Sequence, residues 1–301
     1  MSTASEGSLF RRLRAGDPFA HTLTCTAATL IVVITVLLAY HLWSGSEDAR
    51  HTFGWGFITA TIWDPVRENF GALPFIYGTL MTSVLALAIA VPAGLGAAIF
   101  LAELAPRGIS DALTFTIELL AAVPSVIYGL LGIFLLVPAM RSIIGPQFAG
   151  VSILTAGVIL AIMIVPFIVS VSREVLLAVP QDQREAALAL GATRWETTWR
   201  VVVPYATRGI MGSVFLALAR ALGETMAVTM VVGNKPQVGA SILDPGYSIA
   251  AVIANEFSES AGMHQQVLIE MGLVLFALTI LINGAARLMI LSVNRQPKGS
   301  Q

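Results

Sequence analysis

Residues 151–172 read VSILTAGVILAIMIVPFIVSVS, a stretch with no charged residue and with apolar side chains on every helical face. A helix that is apolar all round needs an apolar solvent all round, and about 20 such residues cross the ~30 Å hydrocarbon core of a bilayer. Pro166 lies inside the stretch. In water it would end a helix, whereas within a membrane bundle neighbouring helices can re-satisfy the freed carbonyl.

Working outward, five more runs have this character, near residues 24–43, 75–101, 113–138, 209–233 and 266–291. Pro92 with Gly94 and Gly96, Pro124 and Gly223 interrupt them, and small residues of this kind let helices approach closely. Hydrophobic residues make up 56% and charged residues 12% of the 301 positions, with mean hydropathy +0.81. A soluble domain carries about a quarter charged residues. The expected fold class is therefore an all-α integral membrane protein with six transmembrane helices. A net charge of -1 supplies no basic field for nucleic acid. Cys25 stands alone, which excludes an intrachain disulfide, and its apolar setting marks it as a packing residue.

Lysine and arginine positions set the expected orientation. With the N-terminus inside, the cytoplasmic side holds Arg11, Arg12, Arg14, Arg107, Arg173, Arg184, Arg194, Arg200, Arg208, Arg287, Arg295 and Lys298, against Arg50, Arg67, Arg141 and Lys235 outside. The chain then divides into a cytoplasmic tail (1–23), a first span (24–43) read as an uncleaved anchor, and an external loop (44–74). A five-helix domain (75–291) follows, with a cytoplasmic loop at 173–208 and an external loop at 234–265, and the chain closes on a cytoplasmic tail (292–301). The external loop at 44–74 contains Phe53, Trp55, Phe57 and Trp63, read as an interfacial aromatic belt. In the loop at 234–265, the spacing of Ile249, Val252, Ile253 and Phe257 predicts a short amphipathic helix, at the outer mouth or on the headgroups.

The loop at 173–208 is the most informative. Gln183 to Leu190 consists of helix formers, Gly191 can take a left-handed cap, Thr193 is placed to cap a second helix, and Pro204 punctuates the entry to the fifth span. A helix-turn-helix on the cytoplasmic surface can serve as a docking lever for a soluble partner. No P-loop is possible, because Lys235 follows Asn234 and Lys298 follows Pro297, so the chain cannot bind ATP in that manner. No HExxH zinc motif occurs, and His21, His41, His51 and His264 are scattered. No nucleophile–base constellation points to an intramembrane enzyme, and no inverted repeat points to an ion-gradient transporter.

Arg220 and Glu224 are ionisable residues inside the fifth run, four apart and so expected on one helix face near mid-depth. A guanidinium matches the oxygens of an oxyanion, and Glu224 can hold Arg220 when the route is empty. Hydrogen phosphate can also donate to a carboxylate, which sulfate cannot. Glu118 and Glu270 lie within about two turns of span ends and are expected to reach the interface. Ser125 and Tyr128 are candidates to line a pore or bridge helices.

Glu185-Ala186-Ala187, then Gly191, then Val201-Val202-Val203-Pro204 resembles the EAA loop of ABC importer permeases, with Val201 and Val203 where Ile and Leu are common. The run from Ala219 to Ala227 is similar to the signature of PstC-type phosphate permeases. So are Phe70-Gly71-Ala72-Leu73-Pro74 with Tyr77-Gly78-Thr79, and Ala122-Val123-Pro124-Ser125 with Tyr128-Gly129. The resemblance spans about Trp55 to Leu291. It implies the type I ABC importer permease fold, and a transport subunit rather than an enzyme. The implied coupling residues are Glu185, Ala186, Ala187 and Gly191, and the implied pathway residues are Arg220 and Glu224. It also implies a second permease (PstA-type), an ATPase pair (PstB-type) that binds the ATP and Mg, and an extracytoplasmic phosphate-binding protein (PstS-type). This chain itself would hold no cofactor. Sulfate or molybdate is the alternative cargo.

Overall fold

The computed structural model describes residues 17–145 and 147–293. Arg11, Arg12, Arg14, Arg295 and Lys298, together with most of both tails, lie outside the described residues. Six helical stretches are long and apolar enough to cross a bilayer, and the chain is a multi-pass membrane protein.

Helix α1 (Asp17–Gly45) leads into two short helices, α2 (Glu47–Phe53) and α3 (Gly56–Thr59). A two-stranded ribbon follows, β1 (Trp63–Asp64) and β2 (Asn69–Phe70), antiparallel with Trp63 opposite Phe70. Next come α4 (Leu73–Ile99), α5 (Arg107–Ala121), α6 (Ser125–Leu131), α7 (Val137–Ile144) and α8 (Ile153–Leu177). The chain continues through α9 (Gln181–Ala189), α10 (Arg194–Thr197), α11 (Val203–Leu222), α12 (Met226–Val231), α13 (Ile249–Glu256) and α14 (Met263–Val293).

The centre of the bundle is the pair α4 and α8, the most extensively packed in the molecule. Lipid tails are as apolar as leucine, so burial alone does not drive the helices together; close van der Waals packing does. Gly94 and Gly157 provide it. A Cβ at Gly94 would sit 2.9 Å from Ile168 Cγ2, and one at Gly157 would sit 2.8 Å from Leu85 Cβ. Leu160, Ile164 and Ile168 are fully buried between these helices. Helix α11 joins through a buried Ser172–Ser213 hydroxyl pair at 2.7 Å. By contrast α1 buries none of its most apolar stretch and leaves Cys25 exposed, so Cys25 is not the packing residue expected.

Two runs differ from their sequence reading. The third was expected at 113–138, but α5 ends at Ala121, and a new helix starts only at Ser125. Pro124 occupies the N-cap with an extended ψ of 140°, where its missing N–H costs nothing and the residue before it is pushed out of helical conformation. The crossing segment is Ser125–Ile144. The fifth was expected at 209–233, but the helix begins at Arg194 and ends at Leu222.

At the ribbon end Phe53, Phe57 and Trp63 belong to a folded cap rather than an aromatic belt, whereas Trp55 stays exposed. Phe57 and Phe70 are buried, and Trp63 packs edge-on against Phe70 and Phe75 at 4.9 and 4.6 Å between ring centres. The helix expected near 249–257 forms as α13, but Ile249, Ala251 and Val252 are buried in this cap instead of lying on a headgroup surface. The stretch Tyr77-Gly78-Thr79 pins it there. Tyr77 Oη donates to the Gly239 carbonyl at 3.1 Å, and the Ile249 amide donates to Thr79 Oγ1 at 2.9 Å. A Cβ on Gly78 would lie 2.1 Å from the Tyr247 carbonyl oxygen.

That contact separates two glycines of the same helix. Gly78→Ala should destabilise the purified protein by about 2 kcal/mol or more, because backbone has to move. Gly96→Ala meets nothing within 4 Å and should be neutral or up to ~1 kcal/mol stabilising. Thermal melts of the two variants in detergent check the difference.

Candidate functional site

At the end of the bundle opposite the ribbon, α9 and α10 form an elbow. Its first corner is a Schellman turn: Ala192 N–H donates to Ala187 O at 3.1 Å and Gly191 N–H to Leu188 O at 2.9 Å. Gly191 holds φ +89°, which a side chain would strain. The second helix opens on a capping box. Thr193 Oγ1 accepts from the Glu196 amide at 3.2 Å, and Glu196 Oε2 accepts from the Thr193 amide at 2.9 Å. These two features lock the angle between α9 and α10 from local sequence alone.

Beyond the elbow there is no break at Pro204. A π-helical turn (Thr198–Val202) joins α10 to α11, with Val203 N–H donating to Thr198 O five residues back. This shift of register lets the helix absorb a proline that would otherwise leave a carbonyl unpaired and clash with it. Arg194–Leu222 is consequently one continuous rod, roughly 40 Å long at 1.5 Å per residue.

The base of the elbow is anchored by a residue the sequence reading passed over. Arg184 Nη2 donates to Glu103 Oε1 at 2.8 Å and to the Leu176 carbonyl at 2.8 Å, and Nη1 donates to the Val179 carbonyl. The side chains of Arg184 and Glu103 are only 12% and 11% exposed. One guanidinium thus ties α9 to the π-helical turn that follows α4 (Phe100–Leu104) and to the end of α8 with the turn after it. A basic residue at the ends of helices also complements their dipoles.

Glu185, Ala186 and Gly191 are exposed on the elbow, and Ala187 is half-buried. Around them stand Leu188, Leu190, Trp195 and Trp199, respectively 45, 90, 57 and 44% exposed, with the two indoles in edge contact at 5.5 Å. An apolar patch of this kind on a polar rim marks an interaction surface.

Arg220 and Glu224 lie at the far end of the rod, in a different arrangement from the one expected. Arg220 sits in the last turn of α11, not at mid-helix, and is exposed. The helix ends at Leu222, so the two residues do not share an i,i+4 face, and no ion pair joins them among the described residues. The cause is Gly223, the poorest helix former here short of proline, followed by a carboxylate that finds a better partner. Glu224 Oε1 accepts from the Ala227 amide at 3.1 Å, satisfying an otherwise orphaned donor at the start of α12.

This break packs against the other one. A Cβ on Gly129 would lie 2.5 Å from Met230 Sδ, and one on Gly132 would lie 2.7 Å from Val231 Cγ1, so α6 and the following turn lie directly against α12. Tyr128 is buried and donates through Oη to the Leu120 carbonyl across the 122–124 break at 2.8 Å. It therefore bridges segments instead of lining open space. The stretches at 122–129 and 219–227 form one interlocked unit. Glu118 is exposed as expected, whereas Glu270 is buried, 6% exposed.

At the ribbon end, Glu256 is a polar hub. It accepts from Trp63 Nε1 at 3.1 Å, contacts His264 Nε2 at 3.1 Å, and accepts from Tyr247 Oη at 3.4 Å. Burial pushes the Tyr247 hydroxyl up to about 12, which keeps it a donor. His264 also stacks on Phe70 at 5.4 Å. Only the fold brings Trp63 and Phe70 to this cluster. No group of His, Cys, Asp and Glu among the described residues has the makings of a metal site.

An interlocked pair of broken helices, joined by a continuous rod to a capped helical elbow, is the architecture of an ABC importer permease. The chain matches the family described as binding-protein-dependent transport system inner membrane component over residues 90–295, and it belongs to that family, whose members are transport components. Within it, the chain is 44% identical to the phosphate transport system permease protein PstC of Mesorhizobium japonicum, over 97% of this chain and 95% of that one. It is 43% identical to the protein of the same name from Haemophilus influenzae, over 92 and 93%. Among solved structures it resembles a bacterial alginate ABC transporter (TM-score 0.63, 17% identity, 95% of this chain and 98% of that one). It also resembles the inward-facing MetNI methionine ABC transporter (TM-score 0.59, 19% identity, 73 and 95%). Like its family, the chain works with partner subunits.

If Arg184 anchors the elbow, Arg184→Ala should free α9 while the spans persist. Losing one partner of a buried pair costs roughly 3 kcal/mol, so amides 181–192 should exchange hydrogen at least about tenfold faster. Amides of α4 and α8 should be unaffected. Hydrogen-exchange mass spectrometry reads both.

Proposed function

We propose that this chain is the permease subunit of an ATP-driven importer of inorganic phosphate. Its elbow seats in a separate ATPase subunit, and its Arg220–Glu224 region meets the anion. The observation that carries the reading is the unbroken rod from Arg194 to Leu222, which has the elbow at one end and Arg220 in its last turn at the other. A push on the elbow moves Arg220 without any intervening joint.

The partners in this reading are a second, related permease, a pair of ATPases that bind ATP and Mg, and an extracytoplasmic phosphate-binding protein. The elbow end is cytoplasmic, as are both termini, in keeping with the lysine and arginine bias. The ribbon end receives the binding protein. Exposed Leu190, Trp195 and Trp199 suit the apolar centre of the ATPase groove, with Glu185 at its rim. Gly191 keeps the turn between them.

Arg220 makes no hydrogen bond or ion pair among the described residues, so its donors are free to meet an oxyanion. Glu224 is committed to the Ala227 amide and can exchange that bond for the proton of hydrogen phosphate. Such a swap discriminates against sulfate, which has no proton to offer. The naming of the 44%-identical relative supports phosphate as cargo.

In liposomes carrying the complete complex, Arg220→Ala should lower ATP-driven phosphate uptake about 10- to 100-fold, the worth of a charge-assisted hydrogen bond. Arg220→Lys should recover little, lacking the planar paired donors, and excess sulfate should not compete. Uptake at the unaltered rate in Arg220→Ala, or uptake with the ATPase omitted, would contradict the proposal.

A further inference from the structure

A cavity of about 400 Å³ lies at the ribbon end of the bundle, between α1, α2, α3 and the first turns of α14, remote from the breaks and from the elbow. Its walls are apolar, formed by Trp43, Ile58 and Val274 among others, and two ionisable side chains of opposite type line it. One is Glu270, 6% exposed, whose Oε2 is fully buried and has no hydrogen-bond partner. The other is Arg50. Its guanidinium lies 3.7 Å from the centre of the Trp43 ring, donates to Ser46 Oγ at 3.2 Å and to the Trp43 carbonyl, and makes no ion pair with Glu270. A buried carboxyl oxygen without a partner is a standing deficit that a bound donor would fill.

The cavity sits where the first span ends and the last begins, flanked by exposed Trp43 and Trp55, the residue type that settles at headgroup level. Helix α1 is peripheral, and a filler at this seam would fasten it to α14. The occupant therefore needs an apolar body, an anionic group for Arg50 and a hydrogen-bond donor for Glu270, a cationic N–H being the strongest partner for a carboxyl oxygen.

We propose that this cavity binds the headgroup and upper chains of a phospholipid bearing a primary ammonium, of the phosphatidylethanolamine type. The phosphate faces Arg50 and the ammonium donates to Glu270 Oε2. A trimethylated headgroup has the charge but no N–H to give, and a glycerol headgroup can donate only neutral, weaker O–H bonds. The site is independent of which anion the protein carries.

The test uses the full chain, purified with its partner subunits, delipidated, and titrated with phosphatidylethanolamine, phosphatidylcholine or phosphatidylglycerol. Native mass spectrometry reads retained lipid and thermal melting reads the stability shift. Phosphatidylethanolamine should be retained at least tenfold more strongly than the other two and should raise the melting temperature. Glu270→Gln should abolish that preference, and Arg50→Gln should weaken all three. Should either variant fold poorly, Ala277→Trp fills the cavity without touching either group and should remove the retained lipid. Equal retention of the three lipids, an undiminished preference in Glu270→Gln, or retention unchanged in Ala277→Trp overturns the proposal. So does a cysteine at Ile58 that crosslinks to a partner subunit in place of a photoreactive lipid.

Discussion

Within a bilayer every backbone N–H and C=O has to find a partner inside the protein, since no water is present to take its place. The bundle departs from regular helix at 122–124 and 223–225, and π-helical turns interrupt it at Phe100–Leu104, Gly132–Leu136 and Thr198–Val202. Each departure is compensated locally: Tyr128 bonds the Leu120 carbonyl, Glu224 takes the Ala227 amide, and each of the three π turns closes on a five-back bond, to Phe100, Gly132 and Thr198. The two breaks also cover each other, through glycines at 129 and 132 that admit Met230 and Val231. Irregular backbone at membrane depth is tolerated where protein or a cavity surrounds it, and transporters place their binding regions at such discontinuities.

The same economy organises the molecule's two ends. At the elbow, a Schellman turn, a capping box and the buried Arg184–Glu103 contact fix short helices that by propensity alone would be marginal. At the ribbon end, Gly78, Thr79 and the Glu256 hub fasten α13 and the loop before it onto α4. Between these stiff ends lies the α4–α8 core, while the rod Arg194–Leu222 runs alongside it. A stiff rod between a docking surface and an interlocked break transmits displacement; a flexible one would dissipate it.

Much of this was legible in the sequence because lipid leaves few options. The stretch 151–172 could only be a span, and the structure gives it as part of α8 (Ile153–Leu177). Thr193 as a cap and Gly191 as a left-handed turn were also readable, since each rests on backbone chemistry within a few residues. Hydropathy alone misjudged the third and fifth runs: it cannot distinguish a broken helix from an intact one, and the break at Gly223 moved Arg220 and Glu224 off a common face. Arg184 with Glu103, and Glu256 with Trp63 and His264, were illegible for a different reason. Glu103 lies 81 positions from Arg184, and Trp63 lies 193 from Glu256, separations only the tertiary fold closes. His264 is eight residues from Glu256, but across a turn between two helices that no local pattern fixes. Phe53, Phe57 and Trp63 read as part of a belt because composition does not reveal whether a ring turns inward; Trp55 does stay exposed.

The most direct measurement is the distance between spin labels at Arg194 and Leu216, both exposed on the rod and neither assigned to the docking surface, after replacing Cys25 with serine. In the assembled complex, pulsed electron resonance with and without nucleotide should give one narrow distance of roughly 30 Å in both states, while distances from either label to α4 change. A separation that shifts or broadens with nucleotide would place a hinge inside Arg194–Leu222 and contradict transmission by a rigid rod.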